Sequence, residues 1–162
     1  GNGHVLLVDS NEEYSFLREK ANTYISGEEI LELFSNLDKE ITNRKETPKD
    51  VQTFIVIPDL ASLVEKVSIS EDDFYQLYIN AYKYGLHFII AGSKSVFFKV
   101  NPVIKVIKEN ITTAVIAMRL YDQSIVEHNS NNREKKLEWD QAYIYDKGRA
   151  QKVKLIKQEI EE

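Results

Sequence analysis

The chain has 162 residues, 43% hydrophobic and 29% charged, with 21 basic against 26 acidic side chains and a net charge of −5. That apolar content is enough for a packed core, so one globular domain over residues 1–162 is expected and a disordered chain is excluded. The acidic balance excludes generalised attraction to nucleic acid or anionic lipid, no apolar run approaches the roughly 18–20 residues that cross a bilayer, and the lack of cysteine removes disulfides, thiolate nucleophiles and Cys-based zinc sites.

In chain order, His4-Val-Leu-Leu-Val-Asp9 is a short apolar block ending in an acid and predicts a buried parallel strand. Ser26-Gly-Glu-Glu29 has the spacing of a capping box, and Ile30, Leu33, Phe34, Leu37 and Ile41 follow at helical intervals, which predicts a helix over about 27–44. Phe54-Ile-Val-Ile57 predicts a second strand, stopped by Pro58-Asp59. Ser70 caps a helix carrying Phe74, Leu77, Ala81 and Tyr84, and Gly85 stands where a left-handed C-terminal residue is wanted. Leu86–Ala91 is a third strand, a short helix starts at Pro102, and Thr113–Met118 is a fourth strand. The segment 128–136 is almost free of apolar residues and reads as a solvated loop, the stretch most prone to disorder. Ala142–Tyr145 and Ala150–Leu155 flank Asp146-Lys-Gly-Arg149 as a hairpin turning at Gly148. Strands alternating with helices and then a hairpin imply an α/β fold, with a mostly parallel sheet, helices on both faces and an antiparallel edge.

Open α/β sheets bind ligands beyond the carboxyl ends of their strands, which singles out Asp9, Ser10, Pro58, Asp59, Gly92, Ser93, Lys94 and Ser95. Ala91-Gly-Ser-Lys-Ser95 has the composition of a phosphate-binding loop without its spacing, because Ser93 and Phe88 stand where that loop needs glycines. Asp59 reads as a shortened stand-in for the glutamate that polarises an attacking water, with Pro58 where the magnesium-shell acid would stand, or as the cap of a helix beginning at Leu60. His4, His87 and His128 have no mutual helical spacing, so no metal site is expected; His87, inside a strand, reads as a hydrogen-bonded core residue. Tyr78, Tyr82 and Tyr84 are candidate partner-facing aromatics, and Trp139 suits an interface or the base of the hairpin. Lys135, Lys136, Lys147, Arg149, Lys152, Lys154 and Lys157 make the last quarter locally basic, in the manner of a solvated face.

Taken in order, these segments resemble the motor domain of the FtsK/SpoIIIE family of hexameric ATPases. The likeness is carried by the acid-ended first strand and by a helix closing on Arg44. It continues in Phe54-Ile-Val-Ile-Pro-Asp-Leu-Ala-Ser-Leu63 at the Walker B position, Tyr84-Gly-Leu-His-Phe-Ile-Ile-Ala91, Ile107-Lys-Glu-Asn-Ile111 and Asp122-Gln-Ser124. The resemblance implies a RecA-like P-loop NTPase core, a mostly parallel sheet flanked by helices with a C-terminal antiparallel hairpin, lacking the P-loop in this chain. Pro58 occupies the Walker B aspartate position and Asp59 the catalytic glutamate position. Gly92-Ser-Lys-Ser95 replaces the polar sensor, and Tyr82 replaces an arginine.

This pattern is similar to the degenerate distal ATPase domains of type VII secretion motor proteins of the EssC kind in Gram-positive bacteria. By that resemblance the chain is a fragment of a larger multi-domain protein, a cytoplasmic module held at the membrane only through its parent. It would act in assembly, regulation or substrate recognition, with no catalytic residues. Asp59, Pro58, Ser93 and Lys94 would be vestiges of a nucleotide site. No cofactor is expected, and ATP with magnesium enters only if a P-loop lies upstream. The implied partners are neighbouring ATPase domains, secretion-complex subunits and secreted WXG-type substrates, and not nucleic acid. Two alternatives stand beside it: a competent translocase motor whose P-loop lies outside the chain, and a response-regulator receiver domain with Asp59 as phosphoacceptor.

Overall fold

In the computed structural model, which describes residues 3–131 and 133–156, the β-branched and leucine run of the N-terminus forms β1 (Gly3–Asp9). It pairs in parallel with two neighbours, β2 (Thr23–Ser26) and β3 (Gln52–Ile57), and β3 pairs in parallel with β4 (Leu86–Ile90). The order is β2-β1-β3-β4. β2 is a four-residue strand that the sequence pattern did not reveal, and it displaces the helix start expected at Ser26. That residue, read as a helix cap, ends the strand opposite Asp9, and Gly27 turns the chain at φ +57°. The Ser26 side chain makes no capping hydrogen bond, and the expected helix begins as a 3₁₀ turn (Gly27–Glu32) before α1 (Leu33–Glu46).

The other helices start where expected. Asp59 caps α2 (Leu60–Lys66), and Ser70 caps α3 (Glu71–Lys83) by accepting from the Asp73 amide at 3.1 Å. Gly85 leaves α3 at φ +76°. The buried faces of α1 and α3 lie on the side of the sheet that carries Ile55 and Phe88, which share a register position. There Phe74 packs edge-on to Phe34 at 5.4 Å and tilts against Phe88 at 6.4 Å. Ile55, Leu60 and Phe74 are completely or almost completely buried, each stabilising the unit by about 1.5–3 kcal/mol relative to exposure. The opposite face is thinner: Phe54, Val56 and His87 are half-buried and Ile89 is 53% exposed. His87 is hydrogen-bonded as expected, to Gln52 Oε1 at 2.7 Å, but it lies on this half-exposed face, stacked on Phe54, and not in the core.

The chain forms two compact units, Gly1–Val106 and Ile107–Glu162, and α4 (Pro102–Asn110) spans the boundary in sequence. The segment expected as a fourth parallel strand belongs to the second unit. β5 (Thr113–Ile116) pairs antiparallel with β6 (Gln141–Asp146), which pairs antiparallel with β7 (Arg149–Lys154). The hairpin is therefore part of its own three-stranded sheet and not an edge of the parallel one. A receiver domain, which needs a fifth parallel strand ending in lysine, does not fit this arrangement. Lys147 and Gly148 make the two-residue turn at φ +47° and +87°, the doubly left-handed geometry of a type I′ turn.

Ile116, Leu120 and Val126 form the core of the second unit, with Tyr143 and Tyr145 packed on it. The segment 128–136 has no regular structure among its described residues, yet it is pinned at one point. Glu134 accepts hydrogen bonds from the amides of Leu120 and Tyr121, both at 3.1 Å, and from the Tyr143 hydroxyl at 2.7 Å. Burial opposes the Glu134 carboxylate, and these donors outweigh it and hold its pKa below the ordinary value. The same bond, with burial, pushes the Tyr143 hydroxyl up to about 12. The basic residues of the hairpin are exposed, as expected of a solvated face, and Lys157 lies outside the described residues.

Candidate functional site

The strand order places the carboxyl ends of β1 and β3 side by side, with the chain running to β2 on one flank and β4 on the other. This is the switch point of the sheet, where open α/β folds leave a ligand crevice. The side chains there are Asp9, Ser10 and Asn11 from β1, and Pro58 and Asp59 from β3.

Both carboxylates are already engaged. Asp9, 1% exposed, accepts from the Tyr14 amide at 2.9 Å and the Tyr24 hydroxyl at 2.8 Å. Burial and this bond together raise the Tyr24 pKa. Asp59 accepts from the Ser62 amide at 3.3 Å and the Ser62 hydroxyl at 2.5 Å, so the capping alternative is the one the geometry realises. Asn11 donates to the same hydroxyl oxygen at 2.6 Å, tying the β1 end to α2, and the Lys66 ammonium donates to the Ser10 carbonyl. The result is a closed polar cluster. Its one loose group is the Ser10 hydroxyl, buried and without a hydrogen-bond partner among the described residues.

The 91–95 segment is held against this cluster through backbone: the Ala91 amide donates to the Ile57 carbonyl at 2.9 Å, and the Leu60 amide to the Ala91 carbonyl at 3.0 Å. Gly92 is required by packing, since a Cβ there would lie 2.6 Å from Val96 Cγ1. Ser93 and Lys94 are exposed, and the Ser93 hydroxyl turns to that of Ser95 at 2.9 Å. Of the four vestigial-site candidates, Pro58 and Asp59 thus stand at the strand-end cluster, while Ser93 and Lys94 are exposed on the neighbouring loop.

The three candidate tyrosines do not make one surface. Tyr78 is half-buried, stacked on Phe88 at 5.6 Å, and burial raises its pKa. Tyr82 is 75% exposed and stands T-shaped to the His87 ring, with centroids 5.6 Å apart. Tyr84 lies beneath the ammonium groups of Lys45 and Lys83. Trp139 is exposed just ahead of β6.

Arg44, read only as a landmark of resemblance, has a structural task that spacing did not disclose. It is 4% exposed and its guanidinium donates to the carbonyls of Val51 and Tyr84, to the Thr53 hydroxyl and to Glu40, clamping the end of α1 to the starts of β3 and β4. Burial works against the Glu40 carboxylate, but Arg44 and Lys49 outweigh it and lower its pKa. A basic residue on the buried face of α1, in phase with Leu37 and Ile41, was the available signal.

Solved structures share this architecture across nearly the whole chain. The ATPase 2 and 3 region of EssC from Geobacillus thermodenitrificans superposes with a TM-score of 0.72 at 19% identity, covering 94% of this chain and 31% of that one. The chain has the fold of the type VII secretion ATPase domains. The cytoplasmic domain of EssC gives 0.71 at 17% identity, over 94% of this chain and 33% of that one. EccC from Thermomonospora curvata, ATPases 2 and 3 in complex with a signal sequence peptide, gives 0.64 at 16% identity, over 97% and 31%. The chain therefore spans about a third of the length of these relatives in structure. No family model and no curated protein matches it in sequence. The RecA-like fold expected from the sequence is the one observed.

Proposed function

We propose that this chain is one module of a multi-ATPase secretion motor of the EssC and EccC kind, and that it serves docking, regulation or substrate recognition without turning over ATP. The observation that carries the reading is the state of Asp59: its carboxylate is bound to the Ser62 amide and hydroxyl, and the residue before it is proline. Magnesium–nucleotide chemistry at such a strand end needs one acid in the metal shell and another to polarise the attacking water. Pro58 offers no ligand, Asp59 is spent on its helix, and Asp9 is held by Tyr14 and Tyr24. These residues do not fit the group, and no hydrolytic step is assigned to them. Losing one preorganised donor costs about 10²–10³ in kcat, so losing the whole set leaves no useful rate.

In this reading the module works in the cytoplasm and reaches the membrane only through its parent. Its partners are the neighbouring ATPase domains, secretion-complex subunits and secreted WXG-type substrates. The signal sequence peptide seen with EccC supports a recognition role. Nucleic acid is not a partner of this acidic chain. The test is calorimetric titration with magnesium–ATP of the chain extended upstream through any P-loop its parent supplies. No saturable heat is expected, and saturable binding that disappears in Asp59→Ala would overturn the reading.

A further inference from the structure

The first unit contains a groove of about 800 Å³ that shares no lining residue with the polar cluster at the strand ends. Its walls are the amino-terminal parts of β1 and β2 on one side and α1 with the preceding 3₁₀ turn on the other. The floor is apolar, with Leu6, Ile25, Leu33 and Leu37, and two further lining residues are joined by the hydrogen bond between His4 Nε2 and Thr23 Oγ1 at 2.9 Å.

The charges around it are lopsided. Arg44 and Lys49, the two cations of the lining, are both paired with Glu40. Glu28, Glu29 and Glu32, on the 3₁₀ turn, are exposed and have no ion pair among the described residues. The groove thus joins an apolar floor to an uncompensated acidic rim.

We propose that this groove is a docking site for an amphipathic basic segment of a partner protein, whose apolar side chains fill the floor while its lysines or arginines face Glu28, Glu29 and Glu32. The choice of occupant rests on charge complementarity. Burying an apolar segment provides affinity, and the three carboxylates select the sign of its charge and speed encounter at low salt. An acidic segment of the same shape is rejected by like-charge repulsion. A small neutral ligand leaves the rim unused. The proposal stands apart from the nucleotide question and holds whatever the strand ends bind.

The test uses a 16-residue helical peptide of leucine and lysine with leucines on one face, and its isomer with glutamate in place of lysine, titrated into the 162-residue chain with methyl-labelled leucine and isoleucine. The lysine peptide is expected to bind with shifts at the methyls of Ile25, Leu33 and Leu37, and at least tenfold more tightly than the glutamate peptide. Reversing the rim with Glu28→Lys, Glu29→Lys and Glu32→Lys should weaken it at least tenfold. Reversing three exposed acids elsewhere, Glu13→Lys, Glu19→Lys and Asp72→Lys, should change it less than twofold. All six positions are exposed, so both variants should keep the fold, checked by circular dichroism. Equal weakening by the two triple variants, equal binding of the two peptides, or shifts that avoid the groove methyls would each overturn the proposal.

Discussion

The two units solve the same problem of burying a sheet in different ways. In the first, four parallel strands need long crossovers, and those crossovers supply α1 and α3 as a cover; its core is made of large aliphatic and aromatic side chains such as Ile55, Leu60 and Phe74. In the second, three antiparallel strands follow one another with only a short 3₁₀ turn (Leu120–Asp122) and no α-helix between them. Its apolar core is small, centred on Ile116, Leu120 and Val126. Polar fastening makes up part of the difference. Glu134 gathers two amides and a tyrosine hydroxyl, and Arg119 grips Asp122 through two nitrogens at 2.6 and 3.1 Å. The second unit should therefore draw a larger share of its stability from polar fastening than the first, where the largest single loss is one of apolar volume.

The largest expected effect is on the first unit. Phe74→Ala should cost about 3–5 kcal/mol, measured by chemical denaturation at 222 nm, because the ring is 1% exposed and the cavity it leaves is walled by Phe34 and Phe88. Arg44→Met comes next at about 3 kcal/mol, since it orphans the carbonyls of Val51 and Tyr84. A cost below 1 kcal/mol for Phe74→Ala would remove the contrast.

The second unit is sharpened by pH. The folded pKa of Glu134 is depressed, so its contribution is present above the ordinary glutamate range and is lost as the pH falls through the lower folded value. The folded pKa of Tyr143 is raised, so its contribution is present below the ordinary tyrosine value and is lost as the pH climbs through about 12. Glu134→Ala should cost about 1–2 kcal/mol at neutral pH, a figure reduced for partial solvation. Tyr143→Phe should remove the most alkaline step from an ultraviolet tyrosine titration. If that step survives, the Glu134–Tyr143 bond does not hold in solution.

The smallest effect is expected at the strand ends. Asp59→Ala should lower stability by about 1 kcal/mol, the ordinary cost of a lost helix cap.

Features with local chemical causes were legible in the chain. Ser70, Gly85 and the Lys147-Gly148 turn are set by capping and by left-handed backbone, and the β1, β3 and β4 runs by unbroken apolar stretches. β2 was hidden because four residues, with only Tyr24 and Ile25 apolar, carry no periodicity, and its existence disarmed the Ser26 capping box. The sheet assignment of Thr113–Ile116 failed because a strand does not encode its partner. Asp59 showed an acid in a telling place, but that its carboxylate is taken by Ser62 is a matter of geometry. The groove was invisible for the same reason: its acids are adjacent in sequence, while its floor comes from three separate elements.

Whether this domain turns over ATP is tested most directly by steady-state phosphate release from the full-length protein that carries it, compared with its Asp59→Ala variant. Unchanged release, with the variant about 1 kcal/mol less stable, is the predicted result. Release that falls a hundredfold or more while the fold is retained would contradict it and return Asp59 to a catalytic site.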